Sequence, residues 1–109
     1  MTGLPTKLDE FFAAHNAHDA DATLLYFAPG ATVGDEGENI AGHAAIRSWL
    51  ERTSAKYSAA VEPLDYRTEN GRTVVVARVS GNFPGSPVNL AFRFALDDGG
   101  LIKSLEIGP

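Results

Sequence analysis

Residues 31–37, Ala31-Thr32-Val33-Gly34-Asp35-Glu36-Gly37, set a carboxylate just beyond a short apolar run. A glycine-bounded loop follows, and Gly42-His43-Ala44-Ala45-Ile46-Arg47 then opens a helix. Read as a strand, Ala31–Asp35 alternates so that Val33 and Asp35 share one face. A carboxylate at the end of such a strand has two ordinary settings. It is a turn residue, as Asp beside Gly commonly is, or it is held against a dry pocket. In the second setting desolvation disfavours the charged form, which makes the group a candidate proton carrier. The chain on either side determines which setting applies.

Upstream, Leu8, Phe11, Phe12 and His15 recur at i, i+3, i+4 and i+7, the stripe of an amphipathic helix. Thr6 is placed to cap it, with Asp9 and Glu10 in the first turn where the helix dipole favours acids. Asn16-Ala17-His18-Asp19 reads as a break. Asp19 or Asp21 then caps a second short helix through Leu24, Leu25 and Phe27, which Pro29-Gly30 stops. Downstream, Ile46, Trp49, Leu50 and Thr53 predict a third amphipathic helix ending near Ser54–Ser58.

The remainder alternates with period two. Ala59–Thr68 and Arg72–Phe83 read as strands joined through Glu69-Asn70-Gly71, since Asn-Gly between apolar runs is a strong hairpin signal. Pro84-Gly85-Ser86-Pro87 turns into a strand over Val88–Leu96, and Asp97-Asp98-Gly99-Gly100 turns into the last, Leu101–Ile107. Two helices, a strand, a helix and a meander of antiparallel strands predict an α+β domain with helices packed on one sheet face. The face with Val75, Val79, Phe83, Leu90, Phe92 and Phe94 carries the largest side chains and should meet the helices. The opposite face mixes Val74, Val76, Ala91 and Ala95 with Arg78, Asn89 and Arg93. That face is too apolar for plain exposure, and a symmetric homodimer would cover it.

Composition narrows the function classes. The 109 residues are 44% hydrophobic and 21% charged, which predicts one globular domain over 1–109, able to bury roughly 60–70% of its unfolded surface. No apolar run approaches the ~18 residues of a membrane span, and Met1–Lys7 lacks the pattern of a signal peptide. The chain has no cysteine, hence no disulfide, thiolate nucleophile or cysteine metal site; the cytoplasm is the default expectation. A net charge of −5 argues against a nucleic-acid partner. The three His residues show no HxH or HExxH spacing, so no metal is expected. No Ser-His-Asp order, phosphate loop or dinucleotide fingerprint is present.

Phe27-Ala28-Pro29-Gly30-Ala31-Thr32-Val33 after helix two, Gly42–Arg47 opening helix three, and Phe92-Arg93-Phe94 before the last hairpin resemble the ketosteroid isomerase-like superfamily. It is also known as the nuclear transport factor two-like or SnoaL-like polyketide cyclase superfamily. The resemblance runs from about Leu8 to Ile107 and is more specific for fold than for chemistry. It implies a cystatin-like cone, three N-terminal helices on a curved antiparallel sheet that encloses an apolar pocket. Phe11, Phe12, Tyr26, Trp49 and Tyr57 would line that pocket from the helical side. Val33, Val79, Phe83, Leu90 and Phe92 would line it from the strands.

In steroid isomerases of this family the general base is an Asp in an Ala-Thr-Val-x-Asp run, which Asp35 matches. The family's two oxyanion donors fall at Phe11 and Leu90, and neither can donate a hydrogen bond. One lost donor typically costs about 2.7–4 kcal/mol of barrier, so steroid isomerisation by that mechanism is not expected. His15, one helical turn from Phe11, could supply a donor or relay a proton with Asp35; the bland alternative is a core histidine bonded to a backbone carbonyl. His18, His43, Arg78, Arg93, Asp97 and Asp98 read as structural or surface groups. The resemblance thus implies a cofactor-free pocket protein for a small apolar molecule, with Asp35-assisted proton transfer of the isomerase or cyclase type. A non-catalytic binder and a dimeric accessory domain are the alternatives.

Overall fold

The computed structural model describes residues 4–35 and 37–109, and readings made for Met1–Gly3 and Glu36 lie outside the described residues. Helix α1 (Thr6–Asn16) buries Leu8, Phe11 and Phe12. Pro5, not Thr6, occupies its N-cap, with no side-chain cap bond. Helix α2 (Ala20–Leu24) is capped by Asp19, whose Oδ1 accepts from the Ala22 N–H at 3.0 Å. Because α2 ends before Phe27, strand β1 (Phe27–Asp35) starts earlier than expected and runs through Pro29-Gly30. Its register against the neighbouring strand slips between Phe27 and Thr32. That irregularity accommodates a proline with no N–H to offer a ladder.

Glu38–Ala41, expected to be loop, is a short strand β2 antiparallel to β1, with Val33 opposite Ile40 and Asp35 opposite Glu38. Helix α3 (His43–Tyr57) follows, so the helices are not all N-terminal to the sheet. It ends on Ser58 in the left-handed region. Strands β3 (Ala60–Glu69) and β4 (Arg72–Ser80) turn on Asn70 and Gly71, with φ of 53° and 76°. Positive φ at both positions is what a two-residue type I′ hairpin needs. Strands β5 (Val88–Leu96) and β6 (Ile102–Gly108) complete the chain.

A curved six-stranded sheet results, in the order β2-β1-β6-β5-β4-β3. It is not wholly antiparallel as expected: β1 and β6 run parallel, with Val33 beside Leu105. The reason is topological. The meander leaves β6 at its inner edge running in the direction of β1, and pairing them joins the N-terminal hairpin to the meander.

The inner face is the one anticipated, with Val75, Ala77, Val79, Phe92 and Phe94 in the core. Phe11 meets Phe27 at 5.7 Å and Phe94 at 5.6 Å edge-on, and Phe12 meets Phe92 at 5.6 Å. Each such pair contributes about 0.5–1.5 kcal/mol beyond its buried area. Val74 departs from the reading: it lies on the outer face yet is only 1% exposed. Its cross-strand neighbours Arg67 and Arg93 carry long aliphatic stems able to cover it. Phe11→Ala should cost about 3–5 kcal/mol of stability, read from denaturant midpoints; a loss below about 1 kcal/mol would contradict this packing.

Candidate functional site

A cavity of about 1150 Å³ opens between the helices and the inner sheet face. Trp49 and Leu50 of α3, Val61 of β3, Val79 of β4 and Leu90 and Phe92 of β5 form much of its wall. At its rim the rings of Tyr57 and Phe83 meet edge-to-face at 5.8 Å. The turn bearing Phe83 is docked onto the end of α3 by Asn82 N–H donating to the Tyr57 carbonyl at 2.7 Å. The fit is close, since a Cβ at Gly81 would sit 2.6 Å from that same carbonyl oxygen.

Asp35 stands at the end of β1, half-buried, in the cavity wall. The indole N–H of Trp49 donates to its Oδ2 at 3.0 Å. One turn along α3, Arg52 pairs at 3.3 Å with Glu38, the residue opposite Asp35 in the β1–β2 register. The helix is therefore strapped to the hairpin at two points. Asp35 also borders a smaller polar recess of about 490 Å³, shared with Thr32, Asn39, Arg93 and Glu106.

His15 lies in the last turn of α1, half-buried, and also borders the cavity. Its Nδ1 is buried without a hydrogen-bond partner. Burial pushes its pKa below 6.5, the positive field of His18 adds to this, and the neighbouring Asn16 side chain acts in the opposite direction. The neighbouring Asn16 fixes the end of α1, its amide donating to the Val61 carbonyl at 2.8 Å and accepting the Val61 N–H at 2.7 Å. His18 borders the cavity and bonds Ser54 through Nδ1 at 2.7 Å, tying the α1–α2 link to α3. His43 holds the Phe27 carbonyl at 3.0 Å, a structural tie as read. Asp97 is a turn residue, its Oδ1 accepting from Gly99 and Leu101 N–H. The exposed Arg47–Asp21 pair joins α3 to α2, and the guanidinium lowers the pKa of Asp21.

The cavity thus brings together Asp35, His15, Trp49, Tyr57, Val79, Phe83, Leu90 and Phe92 of the anticipated set. It does not include Phe11, Phe12, Val33 or Tyr26. Phe11, Phe12 and Val33 are at most 3% exposed and fill the solid core where α1 presses on the sheet. Tyr26 packs against that core from outside it, its carbonyl accepting the Ile102 N–H. Helical and strand periodicity identify the inward face without saying whether a void or another side chain lies there. Val61, Ser54, Asn82 and Ile107 also border the cavity and were not singled out from the sequence. Ile107 had a usable signal, because it alternates with the buried Leu105 on one face of the last strand.

Among the described residues no group of three or more His, Asp or Glu side chains is placed to hold a metal ion. No helix among them is long and apolar enough to cross a membrane.

The sequence profile of the SnoaL-like domain matches residues 8–104. A protein of Sinorhizobium meliloti described as a candidate polyketide cyclase is 40% identical, covers 95% of this chain and 94% of its own, and superposes with a TM-score of 0.90. SalBIII, an epoxide hydrolase/cyclase-like enzyme of pyran ring formation in salinomycin, is 21% identical over 94% of this chain and 87% of its own, with a TM-score of 0.81. A Mycobacterium tuberculosis protein in complex with estradiol-17beta-hemisuccinate is 16% identical over 94% and 89%, with a TM-score of 0.79. The last two show likeness of fold. No curated protein matches the sequence.

The lowered pKa of His15 fixes the sign of a pH effect. The unfolded chain takes up a proton near pH 6.5, whereas the buried ring resists it. The stabilisation is therefore complete above 6.5 and drains away as pH falls towards the folded-state value. Between pH 7.5 and 5.5 the urea midpoint of the wild type should fall more than that of His15→Gln; parallel curves would contradict burial of the ring.

Proposed function

The chain belongs to the SnoaL-like domain family, and from that footing we propose that it is a small-molecule pocket protein in which Asp35 moves protons. The carrying observation is a carboxylate in the wall of a large, mainly hydrocarbon cavity, hydrogen-bonded to Trp49. In such a setting Asp35 takes a proton from carbon beside a carbonyl, or from a water or hydroxyl, and returns it elsewhere. His15, kept neutral by burial, donates to the developing oxyanion or relays the proton once its ring turns towards the ligand. The cavity walls select an apolar molecule, and the reaction runs without metal or organic cofactor. Ring closure and isomerisation of apolar carbonyl compounds are the reaction types, in keeping with the cyclase descriptions of the relatives.

Steroid isomerisation is not proposed. Leu90 lies in the cavity wall and Phe11 in the core, so the family's two donors are replaced by hydrocarbon. The same observation favours a second reading, a non-catalytic binder of a small apolar ligand. In either reading the chain works as a single domain over 1–109, in the cytoplasm, as a homodimer through the outer sheet face. Half-buried Val76, Ala91 and Ala95 on that face support the dimer. Sedimentation should show a dimer that Ala91→Glu shifts towards monomer.

Incubation with apolar cyclic ketones in D₂O reads proton abstraction directly, as deuterium entering the carbon next to the carbonyl. Wild type should accelerate this exchange, and Asp35→Asn should lose about 10²-fold or more of it while still binding the ketone. Equal binding with no enzyme-dependent exchange in either protein would leave the binder reading standing.

A further inference from the structure

Asp35 is not held by its own strand alone, and we infer that Trp49 is its positioning residue, the indole N–H fixing the carboxylate's orientation in the cavity. Trp49 is 4% exposed, and its helix face is anchored by Ile46 at 0% and Leu50 at 6% exposed. A buried indole needs a partner for its one donor. Here that partner is a side-chain carboxylate at 3.0 Å, across an interval of fourteen residues, and not a backbone carbonyl. The neighbouring Arg52–Glu38 pair fixes the same helix turn to the same hairpin end. The indole bond and this ion pair thus both tie α3 to the end of the β1–β2 hairpin.

Two consequences follow from the chemistry of the bond. A hydrogen bond donated to a carboxylate favours its charged form, so removing the N–H moves the titration of Asp35 to higher pH. Rigid placement of one oxygen also sets the direction in which the other approaches a ligand. Misplacement of reacting groups by about an ångström can cost about 10²-fold in rate. The role in proton transfer rests on the base assignment made above, whereas the hydrogen-bond coupling can be read without any turnover.

Trp49 is the only tryptophan, so its indole gives a single ¹H–¹⁵N cross-peak. That peak should shift in one step as wild type is titrated through the carboxylate range, and the step should vanish in Asp35→Asn. A peak that titrates identically in Asp35→Asn, or not at all in wild type, overturns the coupling. In D₂O exchange at saturating ketone, Trp49→Phe, which keeps an aromatic ring and removes the donor, should lower the rate about tenfold or more and move its pH profile upward. Exchange that depends on Asp35 but is unchanged in rate and pH profile in Trp49→Phe overturns the positioning role alone. Exchange absent from wild type, with the indole step present and lost in Asp35→Asn, overturns the base assignment and leaves the hydrogen-bond coupling in place.

Discussion

Phe11 and Phe12 drive α1 against Phe27, Phe92 and Phe94, and the distribution of mass and space inside this molecule depends on that contact. A curved sheet offers more apolar inner surface than short helices can cover. Aromatic side chains from α1 fill one part of the concavity completely. Helix α3, standing over β1 and β2, closes the other part only at its margins, with Trp49 and Leu50 facing inward. The solid half supplies rigidity, and the hollow half can therefore remain open without collapsing.

Polar groups sit at the edges of the hollow, each held by a different element. Asp35 comes from the end of β1, His15 from the end of α1, and Ser54 with His18 from the junction of α3 and the α1–α2 link. Ends of elements bring polar atoms to an otherwise greasy chamber without burying a strand's or helix's own backbone groups unpaired. The Asn16 amide, bonded in both directions to Val61, places the α1 end against β3 and so determines where His15 and His18 stand.

Much of this architecture was legible before any coordinates. The stripe at Leu8, Phe11 and Phe12, the stripe at Ile46, Trp49 and Leu50, and the Asn70-Gly71 turn are local patterns, and local patterns are what a sequence displays. Strand β2 was hidden because Glu38–Ala41 is short and glycine-flanked. The parallel β1–β6 pairing was hidden because nothing local relates Val33 to Leu105. The site was half legible for a similar reason. Alternation along Val33 and Asp35 gives the inward face, but Val33 meets core and Asp35 meets cavity. The bond from Trp49 to Asp35 depends on how a helix is set on a hairpin, so spacing showed Trp49 only as an apolar ring.

The central seat of β6 bears on how the molecule is made. Strands β1 and β2 pair with each other and join the rest of the sheet only through β6, last of the strands along the chain but third in the order β2-β1-β6-β5-β4-β3. During synthesis the N-terminal hairpin must wait, with one flank of β1 unpaired, until the final strand clears the ribosome. Pairings between distant parts of a chain are slow to form, and an unpaired strand flank is a hazard for aggregation. Without Ile102–Glu106, the part of β6 that pairs with β1, the sheet would stand in two pieces, and chaperone demand should concentrate in that interval.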